Sequence, residues 1–413
     1  MEYKLQEVFD IHNSKRIPLS KMERNKQVNK LFPYYGAQGI IDYVEDFLFN
    51  GEYLLVAEDG ENLKTRNENI AQVANGKFWV NNHAHILSVK ENFNTYYLLN
   101  KLNSMDISGY LTGTVQPKLS RRNLEQIRLN LPDKNTQDKI GNFILKLSNK
   151  LQVNQNIIAN LEELLQTLFK RWFVDFEFPD ENGNPYKSSG GEMVDSELGK
   201  IPKYWKVSNL DKIASFVSRG ITPKYNENSD IQIPIINQKV NKGPRLDLQY
   251  IKYFDGQNRI KKELYAQKND LLLNSLGQGT LGRIHLFTRK SEEFLIDQHI
   301  SIIRFDNINY SYFYYAHINT DLIQGQIDSL ISGSTGMLML NITKIRNLKV
   351  ILPTEELVLK YSKLVNEYFG KITQLIYENE NLTQLRNTLL PKLMSGEIEI
   401  PTDIEVNEDE LSI

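Results

Sequence analysis

The sequence predicts an α/β fold in which two globular, strand-rich domains are separated by two long antiparallel coiled-coil helices, the whole forming a pseudo-twofold internal repeat. Three observations predict it. Residues 132–168 match residues 353–389 at one ungapped offset: Pro132 falls on Pro353, Lys139 on Lys360, Asn160-Leu161 on Asn381-Leu382, and Leu164, Thr167 and Leu168 on Leu385, Thr388 and Leu389. Ahead of each matched segment lie short apolar runs broken by polar residues, the signature of strands: Leu54 to Ala57, His85 to Val89 and Ile127 to Leu131, then Ile284 to Phe287 and Ile300 to Phe305. Each matched segment also carries an apolar stripe at spacings of three and four, which is a coiled-coil seam.

In chain order, residues 1–131 are the first globular domain. Residues 132–178 hold the first long helix, with Ile140, Ile144, Leu147, Leu151, Asn154, Ile158, Leu161, Leu165, Leu168 and Trp172 on one stripe. Residues 179–207 form a linker, because Pro179, Gly183, Pro185, Ser188, Ser189, Gly190, Gly191, Gly199 and Pro202 are too dense for a helix or a central strand. It is expected to be ordered where Trp205 docks. Residues 208–352 are the second globular domain. The equivalences persist there at drifting offsets: Leu129-Asn130-Leu131-Pro132 answers Val350-Ile351-Leu352-Pro353, Asn82-His83 answers Gln298-His299, and Gly113-Thr114 answers Gly333-Ser334. Residues 353–395 are the second long helix, its stripe being Tyr361, Val365, Tyr368, Ile372, Leu375, Asn379, Leu382, Leu389 and Leu393, with Arg386 between the last leucines. Residues 396–413 are an acidic tail.

The two polar seam residues, Asn154 and Asn379, set how the stripes meet. They occupy different heptad phases, so they face each other only in an antiparallel pair, where an amide otherwise left unpaired would cost about 1–3 kcal/mol. That register sets Ile158 on Leu375, Leu151 on Leu382, Leu161 on Ile372, Ile144 on Leu389, Ile140 on Leu393 and Trp172 on Tyr361.

Composition narrows the function. A chain of 413 residues with 40% hydrophobic and 24% charged residues fits two or three soluble domains, and no apolar run approaches the ~20 residues of a spanning helix. The start Met1-Glu2-Tyr3-Lys4 leads into no apolar signal core, so a cytoplasmic protein is expected. The absence of cysteine removes disulfides, thiolate zinc sites and cysteine nucleophiles. Net charge is −2, but residues 401–413 hold five acids and no base, leaving 49 bases against 46 acids in residues 1–400. A local basic patch, as at Lys118, Arg121, Arg122 and Arg128, is compatible with that balance.

Several catalytic motifs fail on context. Gly277-Gln278-Gly279-Thr280-Leu281-Gly282 spells a dinucleotide fingerprint, but a helix should follow it and Arg283 to Phe287 alternates like a strand. Asn184-Pro185-Tyr186 resembles the adenine-gripping loop of amino-methyltransferases, yet has one proline and lies in the linker, where it reads as a turn. Gly76-Lys77, Gly199-Lys200 and Gly370-Lys371 are followed by Phe or Ile, so no ATP-binding phosphate loop is expected. His83 and His85 have no third ligand at metal spacing, and no nuclease carboxylate and lysine cluster stands out. No catalytic residue and no metal site is expected in this chain.

What remains are polar loops rich in the side chains that read DNA: Asn and Gln suit adenine, Arg and Lys suit guanine, and Tyr or His can stack on bases. In the first copy the candidates are Lys15, Arg16, Tyr34, Tyr35, Gln38, His83, Thr114, Gln116 and Lys118. In the second they are Arg219, Thr222, Lys224, Asn237, Gln238, Gln278, Thr280, Arg283, Gln298, His299, Ser334 and Thr335. Taken singly each is an ordinary solvated loop residue; recurrence at equivalent places in two diverged copies gives them weight.

Diverged globular domains alternating with near-identical helices resemble the specificity subunit of a type I restriction-modification enzyme. The local strings agree: Pro33 to Ile41, Asp46 to Gly60, Asn82 to His85, Gly113 to Leu119, Arg171 to Phe176 and Ser188 to Pro202. The first copy departs in lacking a counterpart of the Ile201-Pro202 to Trp205 lead-in. The resemblance implies a non-catalytic DNA reader. Two target recognition domains each bind half of a split site, while the helices space them and hold two modification subunits. Those partners bring S-adenosylmethionine and methylate adenine, and restriction subunits use ATP and Mg. A coiled-coil scaffold with two ligand-binding lobes, for carbohydrate or RNA, is the alternative. A salt-dependent shift of duplex DNA only in the presence of a methyltransferase partner separates the two.

Overall fold

Each apolar run upstream of a long helix becomes a strand of a small sheet. The structure is a computed structural model that describes residues 1–113, 115–225, 230–256, 260–333 and 338–401. It divides into two units, Met1–Gln155 with Tyr377–Ile413, and Asn156–Ile376. No described helix is long and apolar enough to cross a membrane.

In the first unit, Leu54 to Ala57 is buried on both faces because its strand, Tyr53–Ala57, lies inside a four-stranded antiparallel sheet. The spatial order of that sheet is Phe9–Ile11, Ala84–Val89, Tyr53–Ala57, Ala71–Ala74. A second sheet runs Gly39–Val44, Phe32–Gly36, Lys77–Val80, Phe49–Asn50. The ribbon Glu2–Lys4 with Arg128–Asn130 closes the domain on itself. The helix Thr95–Ser104 is started by Asn94, whose side chain accepts from the amides of Tyr96 and Tyr97 at 3.1 and 3.0 Å. The first long helix covers this core with Ile140 and Ile144, and the second long helix with Leu393 and Met394.

The second unit repeats this succession with one strand fewer among the described residues. Its four-stranded sheet runs Phe216–Arg219, Ile300–Arg304, Leu271–Asn274, Ile284–Leu286, and its second sheet runs Lys252–Asp255, Gln232–Ile236, Leu295–Ile296. The closing ribbon is Lys206–Asn209 with Lys349–Leu352. A strand equivalent to Phe49–Asn50 is absent among the described residues.

The long helices are Lys134–Phe169, continued by a π-helical turn at Lys170–Val174, and Glu355–Ser395. Within the first unit Asn154 donates from Nδ2 to Asn379 Oδ1 at 2.9 Å and to Glu378 Oε2 at 3.1 Å, while Lys150 pairs with Glu378 at 3.3 Å. Ile140 and Ile144 share one core with Leu389 and Leu393, which is the antiparallel sense. Within the second unit the Trp172 and Tyr361 rings lie 6.2 Å apart, and Ile158, Leu161, Ile372 and Leu375 share a core. Tyr368 departs from its stripe. It is exposed, and Phe369 instead stacks on Tyr312 at 4.9 Å, because here the helix must also cover Ile308–Ile318 of its own domain.

The linker and the start of the tail carry structure of their own. The linker holds a hairpin, Met193–Ser196 with Gly199–Pro202, an isolated pair in which breakers at the turn are tolerated. Trp205 is buried against Phe173, Phe176 and Phe178, stacking on the last at 5.4 Å. The tail is not solvated from its start, since Ile398 and Ile400 pack on the first unit's core; residues 402–413 lie outside the described residues.

Candidate nucleic-acid interface

Three segments meet at one end of the four-stranded sheet in each unit, held by the same backbone hydrogen bonds. In the first unit Glu58 N–H donates to His83 O at 2.8 Å, Leu119 N–H to Glu58 O at 2.8 Å and Gly60 N–H to Pro117 O at 3.1 Å. In the second, Ser275 N–H donates to His299 O at 2.8 Å, Leu340 N–H to Ser275 O at 2.8 Å and Gly277 N–H to Leu338 O at 3.2 Å. Thr112 exchanges two bonds with Lys118 as Ser332 does with Met339. Positions 58, 59, 60 and 83 of one copy are therefore 275, 276, 277 and 299 of the other. Gly60 and Gly277 share φ values of 115° and 110°, where a side chain would be strained.

The two histidines are set alike. The His83 amide donates to Asn81 Oδ1 and the His299 amide to Asp297 Oδ1, each at 2.8 Å. The His83 ring meets Asp59, Nδ1 lying 2.8 and 3.0 Å from its oxygens, and the His299 ring meets Asp297 Oδ1 at 2.7 Å. Around His299, Thr222 donates to Gln298 at 2.9 Å, and the Tyr225 hydroxyl donates to Asp297 at 3.4 Å. Burial and then the Asp297 charge push the Tyr225 hydroxyl up to about 12. Beside His83, Lys118 lies 3.4 Å from Glu58, and Gln116 is exposed on the same segment.

Four of the predicted readers are drawn inward. Arg16 is mostly buried, clamping Glu58 at 2.7 Å and the carbonyls of Ala84 and Asn82 at 2.8 and 3.2 Å. Burial alone would raise the Glu58 carboxyl, but the Arg16 bond and the charges of His85, Arg16 and Lys118 outweigh it and hold the group below its ordinary value. Tyr34 is fully buried, its hydroxyl accepting from Leu19 N–H at 2.9 Å with the Arg24 guanidinium over its ring. Asn237 is buried and caps the turn at Lys239, at 2.8 Å. Arg219 is half-buried and donates to Leu340 O at 3.0 Å. These four side chains are held largely against backbone and buried partners, with Arg219 Nε left without one.

The remaining candidates sit nearer the surface. Lys15, Gln38, Lys224, Gln278 and Arg283 are exposed, Arg283 bonding Gly279 O at 2.8 Å. Tyr35, Gln238 and Thr280 are half-buried, with Tyr35 O accepting from Asn81 N–H at 3.0 Å and Thr280 donating to Gly277 O at 3.2 Å. Thr114, Ser334 and Thr335 lie outside the described residues. Sequence reasoning passed over Asp59 and Asp297. Asp297 carried a usable signal, since an Asp or Asn two residues before another residue often accepts from that residue's amide.

The comparisons follow from this doubled geometry. Residues 1–163 and 202–383 match the type I restriction modification DNA specificity domain. The chain is 25% identical over 409 residues, 87% of each sequence, to the type I restriction enzyme HindI specificity subunit of Haemophilus influenzae. It is 26% identical over 299 residues, 71% of this chain and 65% of the relative, to the MjaIX specificity subunit of Methanocaldococcus jannaschii. Its fold resembles that of the type I restriction-modification S subunit from M. genitalium, with a TM-score of 0.64 at 15% identity over 95% of both chains. The chain belongs to the type I restriction modification DNA specificity family, and carries that family's domain twice.

Proposed function

We propose that this chain is the DNA sequence-specificity subunit of a type I restriction-modification complex, each globular domain reading one half of a two-part site. The observation that carries it is the repeated frame: identical backbone bonds in two units present different side chains, such as Asp59 against Leu276 and Asn82 against Gln298. Two copies of one reader with different chemistry suit two different half-sites. The paired helices set the spacing and offer the docking surface for two modification subunits, with restriction subunits joining that assembly. Catalysis belongs to those partners, which use S-adenosylmethionine, ATP and Mg; the flipped adenine is held in the partner's pocket while this chain grips the flanking duplex.

The test is a domain exchange. Replacing residues 1–131 by the first domain of another family member, in cells that also make the methyltransferase partner, changes one half of the methylated motif and leaves the other intact. Simultaneous change of both halves refutes the two-reader reading.

A further inference from the structure

The two histidines share more than position. Each ring has its Nδ1 against a carboxylate, but the carboxylate comes from different places. In the first unit it is Asp59, after the strand Tyr53–Ala57, and the residue two before the histidine is the neutral Asn81. In the second unit the position of Asp59 is taken by Leu276, and the carboxylate has moved to Asp297, the equivalent of Asn81. Holding the loop needs only the bond from the histidine amide, which Asn81 and Asp297 both accept at 2.8 Å. The ring contact is an additional feature, reached by two routes.

A carboxylate only accepts, so in the neutral ring Nδ1 carries the proton and Nε2 keeps its lone pair. Among the described residues Nε2 of neither ring has a partner, and the side chains are 50% and 29% exposed. In the major groove an acceptor pairs with the exocyclic amino group of adenine or cytosine, whereas guanine and thymine offer acceptors there. We propose that His83 and His299 are equivalent specificity-determining residues, each presenting Nε2 to accept from the amino group of an adenine or cytosine in its own half-site. The inference rests on the DNA-reading function above and names the side chain and the base edge.

The experiment maps methylated adenines genome-wide in a methylation-free host making the full chain and its methyltransferase partner. His83→Ala makes one base position of the first half degenerate, with discrimination falling about 10- to 100-fold, and leaves the second half unchanged. His299→Ala does the converse. Asp59→Asn offers Nδ1 either an amide oxygen or an amide N–H, so the ring is no longer held in one tautomer and the preference for adenine or cytosine at that position weakens. In the second unit one oxygen, Asp297 Oδ1, meets both the His299 amide and Nδ1, so Asp297→Asn keeps that acceptor, leaves the loop bonded and leaves the base preference unchanged, whereas Asp297→Ala removes it and weakens the preference at that position alone. The half left untouched reports that each variant is folded. Variants that lower methylation uniformly with every base position unchanged overturn the inference and leave the two-reader function standing. A wild-type chain that directs no two-part motif overturns both.

Discussion

Acidification should unfold the second unit earlier than its carboxylates alone would dictate, because two histidines are buried there as neutral rings. His285 and His317 are nearly inaccessible, at 7% and 2% exposure. Burial pulls them down to about 4 and about 3, from an ordinary value near 6.5. His317 Nε2 accepts from Ile351 N–H at 3.2 Å, a bond that a protonated ring cannot make, and His285 Nδ1 lies 3.1 Å from Gly243 O. The unfolded chain binds protons near pH 6.5 and the folded chain does not, so stability is full above that value and is lost as pH falls toward the folded values. Between pH 7 and pH 5 each histidine removes about 2 kcal/mol, roughly 4 kcal/mol together. For a unit of this size that is on the order of 8–16 °C in Tm. Scanning calorimetry of the full chain from pH 7.5 to 5 reads it as the slope of the second unit's transition. In His285→Gln with His317→Gln the slope should fall by about 2 kcal/mol per pH unit between pH 5 and 6, whatever the absolute stability. A double variant that keeps the wild-type slope refutes the buried neutral pair.

Two further outcomes follow from the packing. Asn379→Leu takes away a partner of Asn154, which is 1% exposed and whose Oδ1 has none, and should cost about 1–3 kcal/mol; replacing both asparagines by Leu should recover that loss, as a double-mutant cycle by urea unfolding would show. Gly220→Ala would drive a methyl group into the Ile296 carbonyl and should destabilise the second unit by about 1–3 kcal/mol, leaving the first unit's melting transition in place.

The helices were legible because a seam is written locally. Each stripe residue implies the next by spacing, and the asparagine in each stripe fixed direction and register before any coordinates, as the 2.9 Å bond between Asn154 and Asn379 records. Tyr368 was misplaced for the opposite reason. Whether it or Phe369 faces inward depends on Tyr312, about fifty residues away in sequence, and no heptad count contains that. The loops were legible as loops but not as roles. In Pro33-Tyr34-Tyr35-Gly36 the tyrosines must face opposite sides of a strand, yet only the assembled sheet says that Tyr34 is the inner one. Arg16 read as a DNA-reading side chain, with nothing local to show that the carbonyls of Asn82 and Ala84 would arrive beside it from a distant strand end.

The same contrast explains why the two globular parts have drifted so much further apart than the helices. At the meeting point of the three segments the frame is made of backbone N–H and C=O groups: position 58 to 83, 119 to 58 and 60 to 117 in one unit, 275 to 299, 340 to 275 and 277 to 338 in the other. Such bonds place no demand on the side chain beyond a glycine at 60 and 277, where φ is positive. Glu58 can become Ser275 and Asp59 can become Leu276 without disturbing the loops. The seam has no such freedom, because its stability is the side chains themselves, Ile140 and Ile144 with Leu389 and Leu393 in one unit, Trp172 with Tyr361 in the other. The globular parts are thus framed by backbone bonds that tolerate exchange of side chains, while the seam is held by the side chains themselves.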